Sequence, residues 1–495
     1  MGRHARSENA LDAVGAVHRR LEEWAAIAPG GGPEYLTTEH NAANLLVAQW
    51  MAEAGLVVAE DGLGNVIGRH PSAGGTPQLL LGAHLGQVGD PHQDAVLGLA
   101  VAIEAIGRLG AALPNPAAVG VIALADPGGA RFGRPDLSAH AASGTFEREW
   151  LDLQDLDGIT VREAATAFAL DPDQFTVERP APAAFLFVDI DAQLRHAVSG
   201  HTLGVGLLMA SRSTVEVEVV GIASTVGTPA GYRRDAVAAV AELIAVAEQL
   251  GATGSGRIAV SDVESCPPAG LVPGRARFLI DVCERTDAAQ RASWQQLLQR
   301  WHQVTHRRGV RLSTRVQAQT PMADCADWLT AAVVDAISSA GQEPIRLAGY
   351  DQGAVSAFAR RADVGWLALA GLDQPDGTTD GMLGGTPAAA APTRGPIGSD
   401  RISSAVTVLA GAMLRITAQL RSAAPVDHGL IPTQRSGAAP GSGTGYRGDG
   451  TAGRRGASYE TASGTVGGNV AGNFGGNFAG NLAGNAGNKV APHVG

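Results

Sequence analysis

One segment of the chain carries residues that could do chemistry, a histidine at a strand end and an aspartate shortly after it. The apolar run that begins at Leu79 predicts a buried strand ending in His84, and Asp94 stands in a short loop before a helix-like run from Val96 to Leu109. A strand end holds a ligand rigidly, and a loop leaves room for a substrate. The spacing is typical of the first ligands of a hydrolase metal centre. A metal-free strand-end histidine and a helix N-cap are the alternatives.

The composition excludes several classes of protein. The formal net charge of −11 argues against a general nucleic-acid binder. No run of about 18 apolar residues occurs, so no membrane partner is expected. The N-terminus leads into a polar helix instead of an apolar signal segment, and the three cysteines are widely spaced. These features predict a cytoplasmic protein.

The first part of the chain, residues 1–210, alternates helices with short strands. Thr37 to Ala54 has apolar residues at helical spacing and ends before Gly55. The predicted strands that follow are Leu56–Ala59, Val66–Arg69, Leu79–Gly82, Val119–Ala125 and Ala184–Ile190. This alternation predicts an α/β fold, with a mixed sheet flanked by helices.

The pattern changes in residues 211–322. Thr214–Val220 alternates valine with polar residues, as a half-exposed antiparallel strand does. The later elements of this part are Arg234–Leu250, Arg257–Val263, Ala276–Val282, Ala288–His306 and Val310–Val316. Their order predicts a ferredoxin-like α+β domain. The α/β pattern resumes in residues 323–422, so the smaller domain is predicted to interrupt the larger one.

The end of the chain has no packing signals. Residues 423–466 are predicted to be a flexible linker, and residues 467–495 a tail with a Gly-Asn repeat. Three interpretations remain open. The tail is a disordered low-complexity extension, an assembly segment that stacks in β-structure, or a peptide that modifying proteins act on. The last follows from its similarity to core regions of large modified peptides of the polytheonamide type.

Four stretches together carry a family resemblance: "LLLGAHLGQV", "ADPGGARFG", "GTPAGYRRDAV" and "LVPGRARFLIDV". The chain resembles the zinc-dependent amidohydrolases of the M20 peptidase group, in the branch of N-carbamoyl-L-amino-acid hydrolases and allantoate amidohydrolases. The resemblance implies a catalytic domain interrupted by a lid domain, and a homodimer formed through that lid. It also implies two metal ions bridged by an aspartate, with a glutamate as general base.

The residues at the matching positions are only partly those of the family. His84 matches the first histidine ligand, and Asp94 matches the bridging aspartate. Pro127 stands at the position of the general base, and Gly128 at that of a metal-binding glutamate. Gly86 replaces the aspartate that normally orients the histidine. The resemblance therefore predicts no catalytic residue in this chain.

Two further ligand positions are occupied by aspartates. Asp189 and Asp380 stand where the family has histidines. With His84 and Asp94 they could form a site for a residual divalent metal, either Zn²⁺ or, given the many oxygen ligands, Mn²⁺ or Mg²⁺.

The substrate side of the resemblance is also altered. Gly270 and Cys283 fall where the family binds the substrate carboxylate, and Tyr350 replaces a histidine. No histidine lies in residues 221–232, where the lid normally contributes one across the dimer.

The sequence therefore predicts a catalytically degenerate amidohydrolase homologue that binds a ligand or acts as a scaffold. One alternative is an active metal-dependent hydrolase of linear amide bonds that uses rearranged ligands. The other is a folded leader that carries the Gly-Asn tail as a peptide to be modified. Whether the chain is an enzyme stays open at this point.

Overall fold

A computed structural model gives the fold. It describes residues 2–28, 32–71, 78–86, 96–113, 118–173, 181–191, 201–265, 270–350, 353–371 and 398–422. Residues 1–426 form one compact unit, and residues 427–495 are assigned to a second unit. The predicted linker and Gly-Asn tail lie outside the described residues.

Ten α-helices are described. They are α1 (Gly2–Ile27), α2 (Thr38–Glu53), α3 (Leu97–Leu109), α4 (Leu137–Ser143), α5 (Val161–Ala167), α6 (Ala236–Thr253), α7 (Asp287–Arg308), α8 (Asp327–Ser339), α9 (Gly353–Ala359) and α10 (Ser399–Ser422). Thr37 caps α2, because its hydroxyl accepts the backbone N–H of His40. Thr160 and Glu163 form a capping box at α5.

Fifteen strands are described. They are β1 (Val57–Glu60), β2 (Val66–Arg69), β3 (Leu79–His84), β4 (Val119–Leu124), β5 (Ala184–Ile190), β6 (Leu203–Met209), β7 (Ser211–Val220), β8 (Ser224–Thr225), β9 (Arg257–Glu264), β10 (Leu271–Val272), β11 (Arg275–Glu284), β12 (Arg311–Thr320), β13 (Ala323–Asp324), β14 (Ile345–Gly349) and β15 (Asp363–Leu369). The larger sheet has the order β1-β2-β4-β3-β5-β15-β6-β13, and β14 also pairs with β6.

Strand direction decides which side chains meet at each edge of this sheet. β3, β4, β5 and β15 run parallel to one another, whereas β6 is antiparallel to β15. The carboxyl ends of β3 and β5 therefore share one edge, and the carboxyl ends of β6 and β14 lie at the opposite edge. This arrangement is the mixed sheet predicted from the sequence.

Both faces of the larger sheet are covered. On β5, Leu186 and Val188 face one core, which helices α1, α2, α3, α8 and α10 complete. Phe185 and Phe187 face the other core, with side chains of α4 and α9. Burial on both faces explains why the central strands are continuous apolar runs instead of alternating ones. The sequence and the structure agree on an α/β arrangement with helices on both faces of a mixed sheet.

The smaller domain is an antiparallel sheet with the order β12-β7-β11-β9. Helices α6 and α7 cover one face, where Leu243 and Trp301 pack against Val217 and Phe278. The opposite face carries ion pairs, such as that of Arg212 with Asp281 at 3.0 Å. The predicted ferredoxin-like order of strands and helices is confirmed.

Three strands of the larger sheet, β6, β13 and β14, were not predicted from the sequence. β6 and β14 contain glycines and are short or irregular, so their apolar pattern is weak. Their pairing partners, not their own composition, make them strands.

Two described helices, α6 and the Ser399–Arg421 part of α10, are long and apolar enough to cross a membrane by length and composition alone. Both pack apolar side chains into a protein core. Leu243 and Ala247 of α6 are buried in the smaller domain, and Leu409 and Met413 of α10 are buried in the larger one. This is the packing of core helices.

Candidate functional site

His84 and Asp189 meet at the carboxyl edge of the larger sheet. His84 is the last residue of β3, and Asp189 is the second-to-last residue of the neighbouring parallel strand β5. Their exposed fractions are 8% and 7%. His84 Nδ1 lies 2.6 Å from Asp189 Oδ2. The other carboxylate oxygen, Oδ1, accepts the backbone N–H of Ile190 at 2.8 Å. The two residues thus form a short, buried histidine–carboxylate pair.

Close packing holds this pair in place. The ring of Phe187 meets the imidazole of His84 edge-on, with 4.9 Å between ring centres. Helix α3 approaches β5 so closely that a Cβ at Gly98 would lie 2.1 Å from the carbonyl oxygen of Val188. A side chain at Gly98 would therefore push α3 away from the strand end that carries Asp189.

His84 Nδ1 and Asp189 Oδ2 lie too close together to bind one metal ion jointly. Two ligands of one ion, each about 2.1 Å from it, lie about 3 Å or more apart in tetrahedral or octahedral geometry. Nδ1 of His84 and Oδ2 of Asp189 are closer than that and bond to each other. No group of three or more histidine, cysteine, aspartate or glutamate residues suited to a metal occurs among the described residues.

Asp94 and Asp380 lie outside the described residues. The four-residue metal site predicted with His84 and Asp189 therefore stays a prediction, of which the structure brings together only one pair. Gly86, two residues after His84, has a φ of +83°, in the region that favours glycine.

Pro127 and Gly128 lie in a tight turn. The turn starts at Asp126, which has a φ of +47°, and the N–H of Gly129 donates to the carbonyl oxygen of Asp126 at 3.3 Å. Asp126 Oδ1 also accepts the N–H of Ala130 at 3.0 Å. Neither Pro127 nor Gly128 has a side chain that could accept a proton or bind a metal, so Asp126 supplies the only carboxylate of this turn.

The Asp126 carboxylate belongs to a cluster around Tyr35. Burial raises the pKa of Asp126 to about 6, and the charge of Glu34 adds to this, while N–H donors and Arg131 oppose it. Burial first, and then the charges of Asp61 and Asp126, raise the pKa of Tyr35. The groups that act on Asp126 are thus those around Tyr35, and His84 is not among them.

The residues predicted at the substrate side lie in or against the smaller domain. Gly270 is exposed and has a φ of +82°. Cys283 is buried in β11. Tyr350 contacts the smaller domain, since its hydroxyl donates to the carbonyl oxygen of Ser255 at 3.3 Å and its ring centre lies 4.9 Å from Arg257 Cζ.

A small pocket that the sequence did not reveal lies where the two domains join. Its lining includes Met209, Arg212, Thr320, Tyr350 and Ser356. Both chain crossings between the domains contribute to it, from β6 into β7 and from β12 towards β13. It lies at the edge of the sheet opposite the His84–Asp189 pair. No motif marks such a pocket, because its residues are far apart in the sequence.

No protein-family model matches the chain. The N-carbamoyl-L-amino acid amidohydrolase of Geobacillus stearothermophilus is 30% identical over 335 residues, which cover 64% of this chain and 81% of that protein. The allantoate deiminase of Arabidopsis thaliana is 28% identical over 300 residues, covering 54% and 57%. A crystal structure of a hydantoinase/carbamoylase-family amidase from Burkholderia vietnamiensis superposes with a TM-score of 0.66 at 20% identity, covering 80% of this chain and 96% of the other. The chain therefore belongs to the family of N-carbamoyl-L-amino-acid amidohydrolases and allantoate deiminases.

Proposed function

We propose that this chain has kept the fold of its family and has lost two-metal amide hydrolysis, and that it acts as a binding or scaffold protein. The observation that carries this proposal is the turn at residues 126–129. It places Pro127 and Gly128 at the positions that the family resemblance assigns to the general base and to a metal-binding glutamate. The loss of a positioned general base alone lowers a rate by about 10²–10⁴-fold.

The His84–Asp189 pair supports the same proposal. Gly86 has no carboxylate with which to orient His84, and the carboxylate of Asp189 occupies Nδ1 instead. A carboxylate on one ring nitrogen fixes the tautomer and the orientation of a histidine. In this proposal Asp189 is a positioning residue for His84. The pair then presents a fixed imidazole to a ligand at the carboxyl edge of β3 and β5.

The rival function is a working amidohydrolase that uses rearranged ligands. It requires His84, Asp94, Asp189 and Asp380 to hold a residual Zn²⁺, Mn²⁺ or Mg²⁺ ion. The hydrogen bond between His84 and Asp189 counts against the form of this rival in which Nδ1 and Oδ2 bind the same ion, because that ion would have to separate the two atoms.

Metal content and turnover separate the two functions. The full chain is purified in the presence of zinc or manganese, its bound metal is measured, and the hydrolysis of N-carbamoyl-L-amino acids and allantoate is assayed. The Geobacillus stearothermophilus relative is the positive control. We expect less than one bound ion per chain and no turnover above the His84→Ala variant. Stoichiometric metal with turnover that His84→Ala abolishes would refute the proposal.

We also propose a homodimer formed through the smaller domain, in a cytoplasmic protein that binds neither nucleic acid nor membranes. The support is the family resemblance together with the net charge of −11. Analytical sedimentation measures the oligomeric state of the full chain. The same measurement is made on Glu216→Arg, a variant with a charge reversal on the smaller domain. A monomeric wild-type chain would contradict this part of the proposal.

The Gly-Asn repeat favours a second candidate role, in which the folded part is the leader of a peptide that partner proteins modify. In residues 468–486 the order glycine, asparagine, apolar or small residue recurs every four positions. So regular an order is unusual for a simple linker. Mass spectrometry of the tail from the native host tests this role, and an unmodified, uncleaved tail would rule it out.

A further inference from the structure

Cationic and hydroxyl side chains lie around His140 of α4, close to the end of α9. We call this group the Arg134 site, and its members are Arg134, His140, Ser143, Thr145, Arg360 and Arg361. Helix α4 packs against α9, so the two helix ends bring side chains together that are about 220 positions apart in the sequence. The Arg134 site includes neither the His84–Asp189 pair nor the turn at residues 126–129.

Arg134 is the central residue of the site. Its Cζ lies 3.5 Å from the centre of the Trp150 ring, which orders the guanidinium by a cation–π contact. Burial lowers the pKa of Arg134, and the charges of Glu147 and Asp136 oppose that shift. Its Nε is enclosed without a hydrogen-bond partner. Within the described part of the chain no carboxylate lies at ion-pair distance from Arg134. A half-buried cation whose N–H donors lack partners lowers the stability of the fold unless an acceptor forms hydrogen bonds with them.

Two more arginines add positive charge at the same place. Arg360 is exposed and has no ion pair among the residues that the structure describes. Arg361 donates from Nη1 to the carbonyl oxygen of Ser143 at 3.5 Å, and it lies where a Cβ at Gly144 would be, 2.1 Å from Nη1. Only a glycine at this turn leaves room for that guanidinium.

The neighbouring side chains carry hydroxyl groups and a neutral imidazole. His140 Nδ1 lies 2.8 Å from Thr145 Oγ1, which lies 2.8 Å from Ser143 Oγ. Burial, and then the charges of Arg134 and Arg360, lower the pKa of His140 to about 4. His140 is therefore neutral at pH 7 and adds no charge, but it positions the two hydroxyl groups.

We propose that the Arg134 site binds a phosphate group, either as inorganic phosphate or as part of a larger phosphate ester. Guanidinium groups bond to phosphate through two parallel N–H donors, and hydroxyl groups supply the remaining bonds. The dianion also offsets the charge of Arg360, which has no ion pair among the residues that the structure describes. This role does not depend on any activity at the His84–Asp189 pair.

Thermal unfolding of the full chain at pH 7.5 tests the site, with potassium phosphate compared with potassium chloride at equal ionic strength. We expect phosphate to raise the unfolding temperature in a saturable way at millimolar concentration. Arg134→Met keeps an apolar contact with Trp150 and is expected to weaken phosphate binding about tenfold to a hundredfold. Arg162→Met is the matched control, because Arg162 pairs with Asp173 at the surface and lies outside the site. Its response should equal that of the wild type.

Two further measurements test the phosphate site if the Arg134→Met variant folds poorly. Arg360→Met, at an exposed position, should weaken phosphate binding without lowering the stability of the free protein. Phosphate should also raise the pKa of the His140 imidazole, followed by NMR, because the dianion offsets the arginine charges. A phosphate monoester that binds more tightly than inorganic phosphate identifies a larger ligand, and weaker binding identifies the free ion. A response equal to that of chloride, or unchanged affinity in both arginine variants, overturns the proposal.

Discussion

Protonation of His40 is predicted to weaken the fold below neutral pH. His40 is 1% exposed, and its Nδ1 accepts the backbone N–H of Leu36 at 3.2 Å. Its ring lies between Tyr35 and Phe168, with ring centres 5.4 and 5.1 Å away. Burial lowers its pKa from 6.5 to about 4. A proton on Nδ1 would displace the hydrogen bond from Leu36 and place a charge in an apolar cluster.

The size and sign of the change in stability follow from the difference between the pKa of His40 in the unfolded chain and its pKa in the folded chain. The unfolded chain binds a proton at His40 near pH 6.5, and the folded chain does so only near pH 4, so stability falls as the pH decreases through this window. The full difference corresponds to about 3.4 kcal/mol, at about 1.4 kcal/mol per pKa unit. Between pH 7 and pH 5 the loss is about 2 kcal/mol.

The assay is urea unfolding of wild type and His40→Asn from pH 4.5 to pH 8. Asparagine at this position keeps an acceptor for Leu36 but cannot titrate, so its free energy of unfolding should lose about 2 kcal/mol less than wild type between pH 7 and pH 5. Comparing the two proteins cancels the other groups that titrate in this range. His302→Asn, at an exposed position of α7, is the control and should follow the wild type. Parallel pH profiles for wild type and His40→Asn would refute the reasoning.

Two further substitutions test the surroundings of the site. Asp126→Asn should raise the free energy of unfolding by up to about 3 kcal/mol at pH 8, because burial disfavours the ionised carboxylate. This gain should vanish below about pH 4, where the carboxylate is protonated. In the same urea assay, a variant no more stable than wild type at pH 8 would contradict this prediction. Gly98→Ala should destabilise the protein by about 2 kcal/mol or more, because the new methyl group overlaps the carbonyl of Val188. Gly107→Ala, on the same helix with its nearest contact at 3.3 Å, is the milder comparison, and equal losses in the two variants would show that the close approach at Gly98 is not the cause.

Much of the fold was predictable from local patterns. The apolar runs of β3, β4 and β5 and the helical spacing of α2 are strong signals, because each element buries a continuous face. The alternation in β7 and the order of elements in the smaller domain indicated its ferredoxin-like fold. β6 and β14 escaped prediction, because glycines weaken their pattern and only pairing with neighbours makes them strands.

The candidate site was predictable in identity but not in geometry. The sequence by itself determined that Pro127 and Gly128 bring no acid, base or ligand to the turn, since side-chain chemistry does not depend on the fold. Only the tertiary structure decided that Asp189 bonds to Nδ1 of His84, because the parallel pairing of β3 with β5 brings together residues 105 positions apart. It also decided the pKa shifts of His40 and Asp126, because the burial that causes them results from contacts between distant parts of the chain.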